Sequence, residues 1–263
     1  VLLTQERCEL AGIRAVVANS GNANAATGRR GLEDAARMQG AGAMVAGVPE
    51  DRVAIASTGV IGVPLDTEKV IRGMASARAE LAADGDEAFT AAISTTDRFP
   101  KRATLEVALP SGTVRLAAQA KGAGMLSPAF ATMLCFVETD AGLTPETADL
   151  LLGVCVKRSF DRISVDGQLS TNDTAILMAS GASGVHIAPE SEDELLFGQA
   201  LDMLLRRLAI LMVRDGEGAR RVGRVVVHGG HEPSVARAAG PGRTSPRSRG
   251  RASTARRPRC CGS

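Results

Sequence analysis

Lys121-Gly-Ala-Gly-Met-Leu-Ser-Pro-Ala-Phe-Ala131-Thr132, continued by Met133-Leu134, is the stretch on which the reading of this chain turns. A threonine follows a small residue and a Gly/Pro-rich approach, and it precedes the apolar run from Met133 to Val137. Gly122 and Gly124 allow a tight backbone here. A hydroxyl in such a place can attack the carbonyl of Ala131, form an ester by N-to-O shift, and be released by water. The new chain would begin with Thr132, its α-amine beside its own hydroxyl. That amine, with an unperturbed pKa of about 8, can act as general base to the nucleophile. The same residues also read as a buried strand preceded by a Gly/Pro turn. Taken alone, the segment leaves both readings open.

Working outward, the apolar run 133–139 reads as a buried strand. Upstream, residues 102–108 and 113–118 alternate apolar and polar side chains around Leu109-Pro-Ser-Gly112, which reads as a β-hairpin. Further strands are expected at 13–18, 53–56 and 222–227, and helices at 31–45, 66–83 and 87–93. Downstream, Thr144 caps a helix with Pro145 at its first position. Ser191 and Glu194 form a capping box for a long helix carrying Leu195, Leu201, Leu204, Leu205, Leu208 and Met212. Strands and helices in this mixture imply an α/β (α+β) protein.

The 263 residues suffice for a sizeable core. With aromatics at 2% and neither Trp nor Tyr, that core must be built from Ala, Val, Leu, Ile and Met. No run is long and apolar enough to span a membrane. The start, Val1-Leu-Leu-Thr-Gln-Glu-Arg7, resembles no signal peptide and lacks an initiator Met, so the piece is expected to begin inside a longer protein. Cys8, Cys135, Cys155, Cys260 and Cys261 match neither a zinc site nor a disulfide framework, and reduced thiols in a cytoplasmic protein are expected. His186, His228 and His231 form no ligand pattern, so no metal is expected. The net charge of +2 hides an asymmetry: from Pro233 onward there are eight arginines and no acid, leaving the rest near −6. This Arg/Pro-rich tail, 229–263, is expected to be disordered. It lacks aromatics for stacking, and no nucleic-acid partner is expected.

A second segment, Ser57-Thr58-Gly59-Val60-Ile61-Gly62, follows a short strand. A hydroxyl beside a glycine N–H offers two donors with little steric cover, which suits an oxyanion hole. An ordinary Gly-rich strand-to-helix turn has the same composition.

Six segments in order carry more information than any one. They are Asn19-Ser-Gly-Asn-Ala-Asn-Ala-Ala-Thr-Gly28, Ser57-Thr-Gly-Val-Ile-Gly62, Thr95-Thr-Asp97, Lys121-Gly-Ala-Gly-Met with Ala131-Thr-Met-Leu134, Ser164-Val-Asp-Gly with Ser170-Thr-Asn-Asp-Thr174, and Asp215-Gly-Glu-Gly-Ala219. In order and approximate spacing they resemble the ornithine acetyltransferase (glutamate N-acetyltransferase) family of arginine biosynthesis, over residues 1–228. The resemblance implies layered sheets between helices and self-cleavage between Ala131 and Thr132. It divides the chain into an α-chain-like segment, 1–131, and a β-chain-like segment, 132–228, and implies a heterotetramer of two α and two β chains. It implies that Thr132 takes the acetyl group of N2-acetyl-L-ornithine and passes it to L-glutamate in a ping-pong cycle. The family's oxyanion pair falls on Thr58 and Gly59, and its substrate-binding positions on Thr95, Lys121, Thr132 and Glu217. No metal or organic cofactor is implied, with acetyl-CoA as an alternative donor in some members.

The chain also departs from the family. Arg220-Arg221 stand where Thr-Lys is usual, and Gln168-Leu169 where Asp-Thr is common. Neither the family's Asp-Pro-Asn-Trp-Gly-Arg motif nor its N-terminal strand section is found. An inactive member truncated at both ends is therefore one expectation. A self-processing N-terminal-threonine amidase or aminopeptidase is another, since an acyl-threonine can also be discharged to water.

Overall fold

The computed structural model describes residues 1–127, 130–131 and 133–226, with the backbone alone at Phe130 and Ala131. Thr132 and the tail 229–263 lie outside the described residues.

The chain opens with a short helix α1 (Leu2–Arg7) and strand β1 (Ala15–Asn19). Helix α2 (Gly28–Ala46) then crosses back to β2 (Val53–Ser57), which pairs parallel with β1, Ala15 opposite Val53 and Asn19 opposite Ser57. A parallel pair needs such a crossover. Gly47, at φ +69°, ends α2 in the left-handed conformation that glycine adopts without a Cβ clash. Helix α3 (Thr67–Ala77) is capped by the Asp66 carboxylate, which accepts from the Lys69 N–H at 3.0 Å; a 3-10 turn at Arg78–Glu80 ends it earlier than residue 83. Helix α4 (Asp86–Ile93) follows.

The hairpin forms as its alternation requires. Strands β3 (Lys101–Leu109) and β4 (Gly112–Lys121) pair antiparallel around the two-residue turn Pro110-Ser111. A two-residue ladder, β5 (Leu126–Ser127) with β6 (Phe130–Ala131), leads to β7 (Leu134–Thr139). Helix α5 (Pro145–Arg158) starts with Thr144 Oγ1 accepting from the Thr147 N–H at 3.2 Å. Strand β8 (Thr174–Ala179) and helix α6 (Glu192–Arg214) complete the described elements. Ser191 caps α6, but the Glu194 carboxylate accepts from the Glu190 N–H rather than closing the box on Ser191.

Strands β3, β4, β7 and β8 form one sheet in that order, with β7 antiparallel to β4 and parallel to β8. Both faces are covered, for a reason legible in β4. Its Val114, Leu116, Ala118 and Ala120 meet Phe197, Leu201, Leu204, Leu205 and Leu208 of α6 in the main core. From β7 and β8, Leu134, Phe136 and Ile176 point the other way, onto Ala56 of β2 and Phe89 and Ile93 of α4. The far side of the β1–β2 pair, through Val17 and Ile55, packs under α2 and α3 against Met38, Leu65 and Met74. The expected α/β layering of sheets between helices is the architecture observed.

Two readings need correction. Of the strand expected at 222–227, residues 222–226 form none: Val222, Val225 and Val226 are exposed, and nothing among the described residues pairs with them, so a short valine-rich run has no ladder to join; Val227 lies outside the described residues. Strand β8 was not anticipated as an element. Its apolar run Ala175–Met178 is an edge strand fixed by pairing with β7, which local pattern does not reveal.

Candidate active site

Strand direction gathers the six segments. Parallel pairing sends the loops after β1 and β2 out at the same end of their ladder. In the larger sheet, Lys121 lies opposite Leu134, Ala120 opposite Lys101, and Leu134 opposite Thr174. The end of β4 and the starts of β3, β7 and β8 therefore share one edge. Contacts tie the two edges together. The Asn172 side-chain amide donates to the carbonyls of Ala23 at 2.6 Å and Ser57 at 2.9 Å, bridging the loop before β8 to those after β1 and β2.

Lys121 is the last residue of β4. By alternation it turns away from the Ala118 and Ala120 face and into the layer between the sheets. There its ammonium, on a residue 2% exposed, donates to the Thr58 hydroxyl at 2.9 Å. An ammonium can only donate, so Thr58 Oγ1 is the acceptor and its own proton is free to point elsewhere. Burial pulls Lys121 below the usual lysine range; Asp97 and Glu217 oppose that, while Lys101 adds to it.

Gly59 adopts φ +133°, open to glycine alone, and a Cβ there would stand 2.3 Å from the Gly21 carbonyl carbon and 2.5 Å from the Asn22 nitrogen. The two loops touch backbone to backbone because this residue has no side chain. Gly59→Ala should cost about 3 kcal/mol or more in urea unfolding, since neither the strain nor the backbone overlap can be relieved by a rotamer change. A variant within about 0.5 kcal/mol of the parent, the range of neutral surface changes, would mean the loops do not meet as described.

Behind Lys121 lies a buried ionic cluster. The Lys101 ammonium donates to Asp97 Oδ1 at 2.5 Å and Asp215 Oδ2 at 2.7 Å, with all three side chains at 0–1% exposure. Asp97 also accepts from the backbone N–H groups of Gly122 (2.8 Å) and Thr95 (3.1 Å). Asp215 accepts from the Arg98 N–H and from its guanidinium Nε, both at 2.9 Å. Burial would raise both carboxyls, yet these donors outweigh it and hold them below the usual aspartate range. Glu217 lies at the outer side of this cluster, exposed, and accepts from the Thr96 hydroxyl at 2.5 Å. Its approach depends on Gly124, where a Cβ would sit 2.8 Å from the carboxylate carbon.

Of the residues expected to bind substrate, Lys121 and Glu217 are brought to this region. Thr95 has its N–H on Asp97 and is exposed; its neighbour Thr96, which sequence reasoning did not single out, makes the side-chain contact to Glu217. Lys101 and Arg98 were likewise not anticipated, and Asp97 and Asp215 were noted only within motifs. The available signal was Asp97 and Lys101 four residues apart, with a lysine heading an otherwise alternating strand.

The segment bearing Thr132 is held on both sides. The Asp166 carboxylate accepts from the N–H groups of Met125 (2.7 Å), Leu126 (3.1 Å) and Gln168 (3.0 Å). Met133 is fixed through its carbonyl, which accepts from the Thr174 N–H at 3.1 Å, and its N–H, which donates to Asp173 at 3.4 Å. No group of three or more residues able to hold a metal is found among the described residues.

The model of the ArgJ family matches residues 1–242 of the chain. This chain belongs to the ArgJ family. The arginine biosynthesis bifunctional protein ArgJ of Chlorobium chlorochromatii is 47% identical over 219 residues, covering 83% of this chain and 51% of its own. The ArgJ protein of Symbiobacterium thermophilum is 44% identical over 240 residues, covering 91% of this chain and 60% of its own. The chain thus spans about half to three fifths of the length of these relatives. The crystal structure of ornithine acetyltransferase from Mycobacterium tuberculosis, complexed with ornithine, aligns with a TM-score of 0.44 at 35% identity, over 51% of this chain and 69% of that one. Membership in the ArgJ family agrees with the resemblance read from the six segments.

Proposed function

We propose that this site moves the acetyl group of N2-acetyl-L-ornithine to L-glutamate through an acetyl ester on Thr132, after self-cleavage between Ala131 and Thr132. The observation that carries the proposal is the buried Lys121–Thr58 contact at the strand ends from which the Thr132 segment also emerges. It supports an acyl-transfer site because the Thr58 proton, freed by the ammonium, can be given to an oxyanion; Gly59 beside it is the second member of that pair.

In the proposed cycle the α-amine of Thr132 takes the hydroxyl proton and Oγ1 attacks the acetyl carbonyl. The tetrahedral intermediate collapses with cleavage of the C–N bond, and the proton goes to the departing ornithine amine. The glutamate amine then attacks the ester, and Thr132 Oγ1 leaves with a proton returned to it. Lys121 retains donors for a substrate carboxylate, and Glu217 can receive a substrate ammonium. Thr95 stands at the rim as a further substrate contact. The cycle calls for no metal or organic cofactor, with acetyl-CoA as an alternative donor. We place it in the cytoplasm, in a heterotetramer of two α and two β chains with no nucleic-acid partner.

The test is the fate of label from N2-[acetyl-13C]ornithine with glutamate present. Labelled acetylglutamate is expected. Labelled acetate alone would assign the site to a threonine amidase, and a folded chain that releases neither would overturn acyl transfer for these residues.

A further inference from the structure

The chain carries 31 basic residues, of which only four are lysines: Lys69, Lys101, Lys121 and Lys157. Two of the four, Lys101 and Lys121, are the buried ones, at 0% and 2% exposure. They sit on the adjacent strands β3 and β4 but face opposite sides of the sheet: Lys101 shares the α6 side with its cross-strand partner Ala120, while Lys121 faces the inter-sheet layer. Buried ammonium groups require nearby anions, because an uncompensated buried charge is costly. Asp97 links Lys101 to the turn that follows Lys121. One oxygen, Oδ1, accepts both from Lys101 and from the N–H of Gly122, the residue directly after Lys121. Gly122 has φ +150°, so the chain turns here in a conformation side chains rarely adopt.

We propose that Asp97, clamped by Lys101, is a positioning residue of the acyl-transfer site: it ties down the turn after Lys121 and is the buried anion against which the Lys121 ammonium is held onto Thr58. The catalytic meaning rests on the acyl-transfer reading, whereas the charge arrangement does not. The order of charges supports it. Arg98, Asp215, Lys101 and Asp97 alternate in sign through direct contacts, and Asp97 in turn holds the N–H of Gly122, the residue after the Lys121 that reaches Thr58. Removing Asp97 would take one of the two carboxylates from Lys101 and the acceptor from the Gly122 N–H, leaving a less compensated positive charge at this end of the sheet. Among the described residues, the charged groups acting on Lys121 are Asp97 from the 95–98 loop, Lys101 from β3 and Glu217 from the segment after α6. Thr58 and Leu134, from the loop after β2 and from β7, carry no charge. Of the two carboxylates, Asp97 is buried and bonded to the adjoining backbone, while Glu217 is exposed to water, which screens it.

The lysine count makes this measurable without turnover. The full chain labelled with [13Cε]-lysine has four signals; the one absent in Lys121→Met belongs to Lys121. In Asp97→Asn the Lys121 titration midpoint should move to lower pH, with Lys69 and Lys157 unmoved. In Glu217→Gln it should move less. An unmoved Lys121 in Asp97→Asn, or a larger shift in Glu217→Gln than in Asp97→Asn, would overturn the proposal. The Glu217→Gln arm still decides if Asp97→Asn does not fold: a large fall there would name Glu217 as the controlling anion, and a midpoint near the parent's would leave Asp97. Where acetyl transfer is seen, Asp97→Asn should lower kcat by about tenfold or more and draw the alkaline limb of the pH profile to lower pH, a change that mere loosening of the fold would not make. A chain that transfers no acetyl group, yet whose Lys121 signal follows Asp97, would sink the acyl-transfer reading and leave this charge arrangement standing.

Discussion

Thr132→Ala should remain one chain of 27.1 kDa under denaturing mass spectrometry, whereas the self-cleavage proposed for the parent should give pieces of 131 and 132 residues. The hydroxyl is the only group that Ala lacks and that an N-to-O shift requires. Acetyl transfer should fall by about 10³-fold or more, as when the nucleophile of a covalent mechanism is removed. Native mass spectrometry adds a second expectation. Strands β3 and β4 come from before the proposed cut and β7 and β8 from after it, and β4 pairs with β7 from Leu116–Thr139 to Lys121–Leu134. The pieces share one sheet and one core, so they should stay together until denatured. Cleavage that persisted in Thr132→Ala would overturn the self-processing mechanism. Pieces that separated in native buffer would contradict the shared sheet.

Lys101→Met should be the most destabilising of the single changes considered, at about 3–5 kcal/mol near neutral pH, because it leaves two buried carboxylates without their common cation. The pH dependence distinguishes this from a packing effect. In the parent, Asp97 and Asp215 are held below the ordinary aspartate value of 3.8. Their stabilisation is therefore complete above that value and is lost as pH falls through the lower folded values. In Lys101→Met, burial and mutual repulsion act on these carboxyls without the ammonium, which favours their protonated forms. Mild acid should then narrow the stability gap to the parent. Urea midpoints measured from pH 7 down to 4 would show it; parallel curves would mean that the ion cluster contributes nothing and Lys101 matters only for its volume.

Much of the fold was legible from local pattern. The alternation in 102–108 and 113–118 with Leu109-Pro-Ser-Gly112 specified the hairpin, since period two and a two-residue turn admit little else. Thr144 before Pro145 and Ser191 before Glu194 located two helix starts, because a hydroxyl at that position satisfies a free N–H. Strand β8 and the unstructured 221–226 were misjudged for one shared reason. Whether an apolar run becomes a strand depends on a partner ladder, and β8 has β7 while 221–226 has none among the described residues.

The sequence by itself determined the family and the candidate residues, because six short segments in order carry chemistry that survives without coordinates. Only the tertiary structure decided which residues meet. That Lys121 donates to Thr58, 63 positions away, follows from stacking one sheet on another. That Lys101 is clasped by Asp97 and Asp215, 114 positions from the latter, follows from where α6 ends against the sheet edge. Long-range ion pairs have no period and no spacing in the chain. Burial and the cost of an unpaired charge select them, and both exist only once the layers are packed.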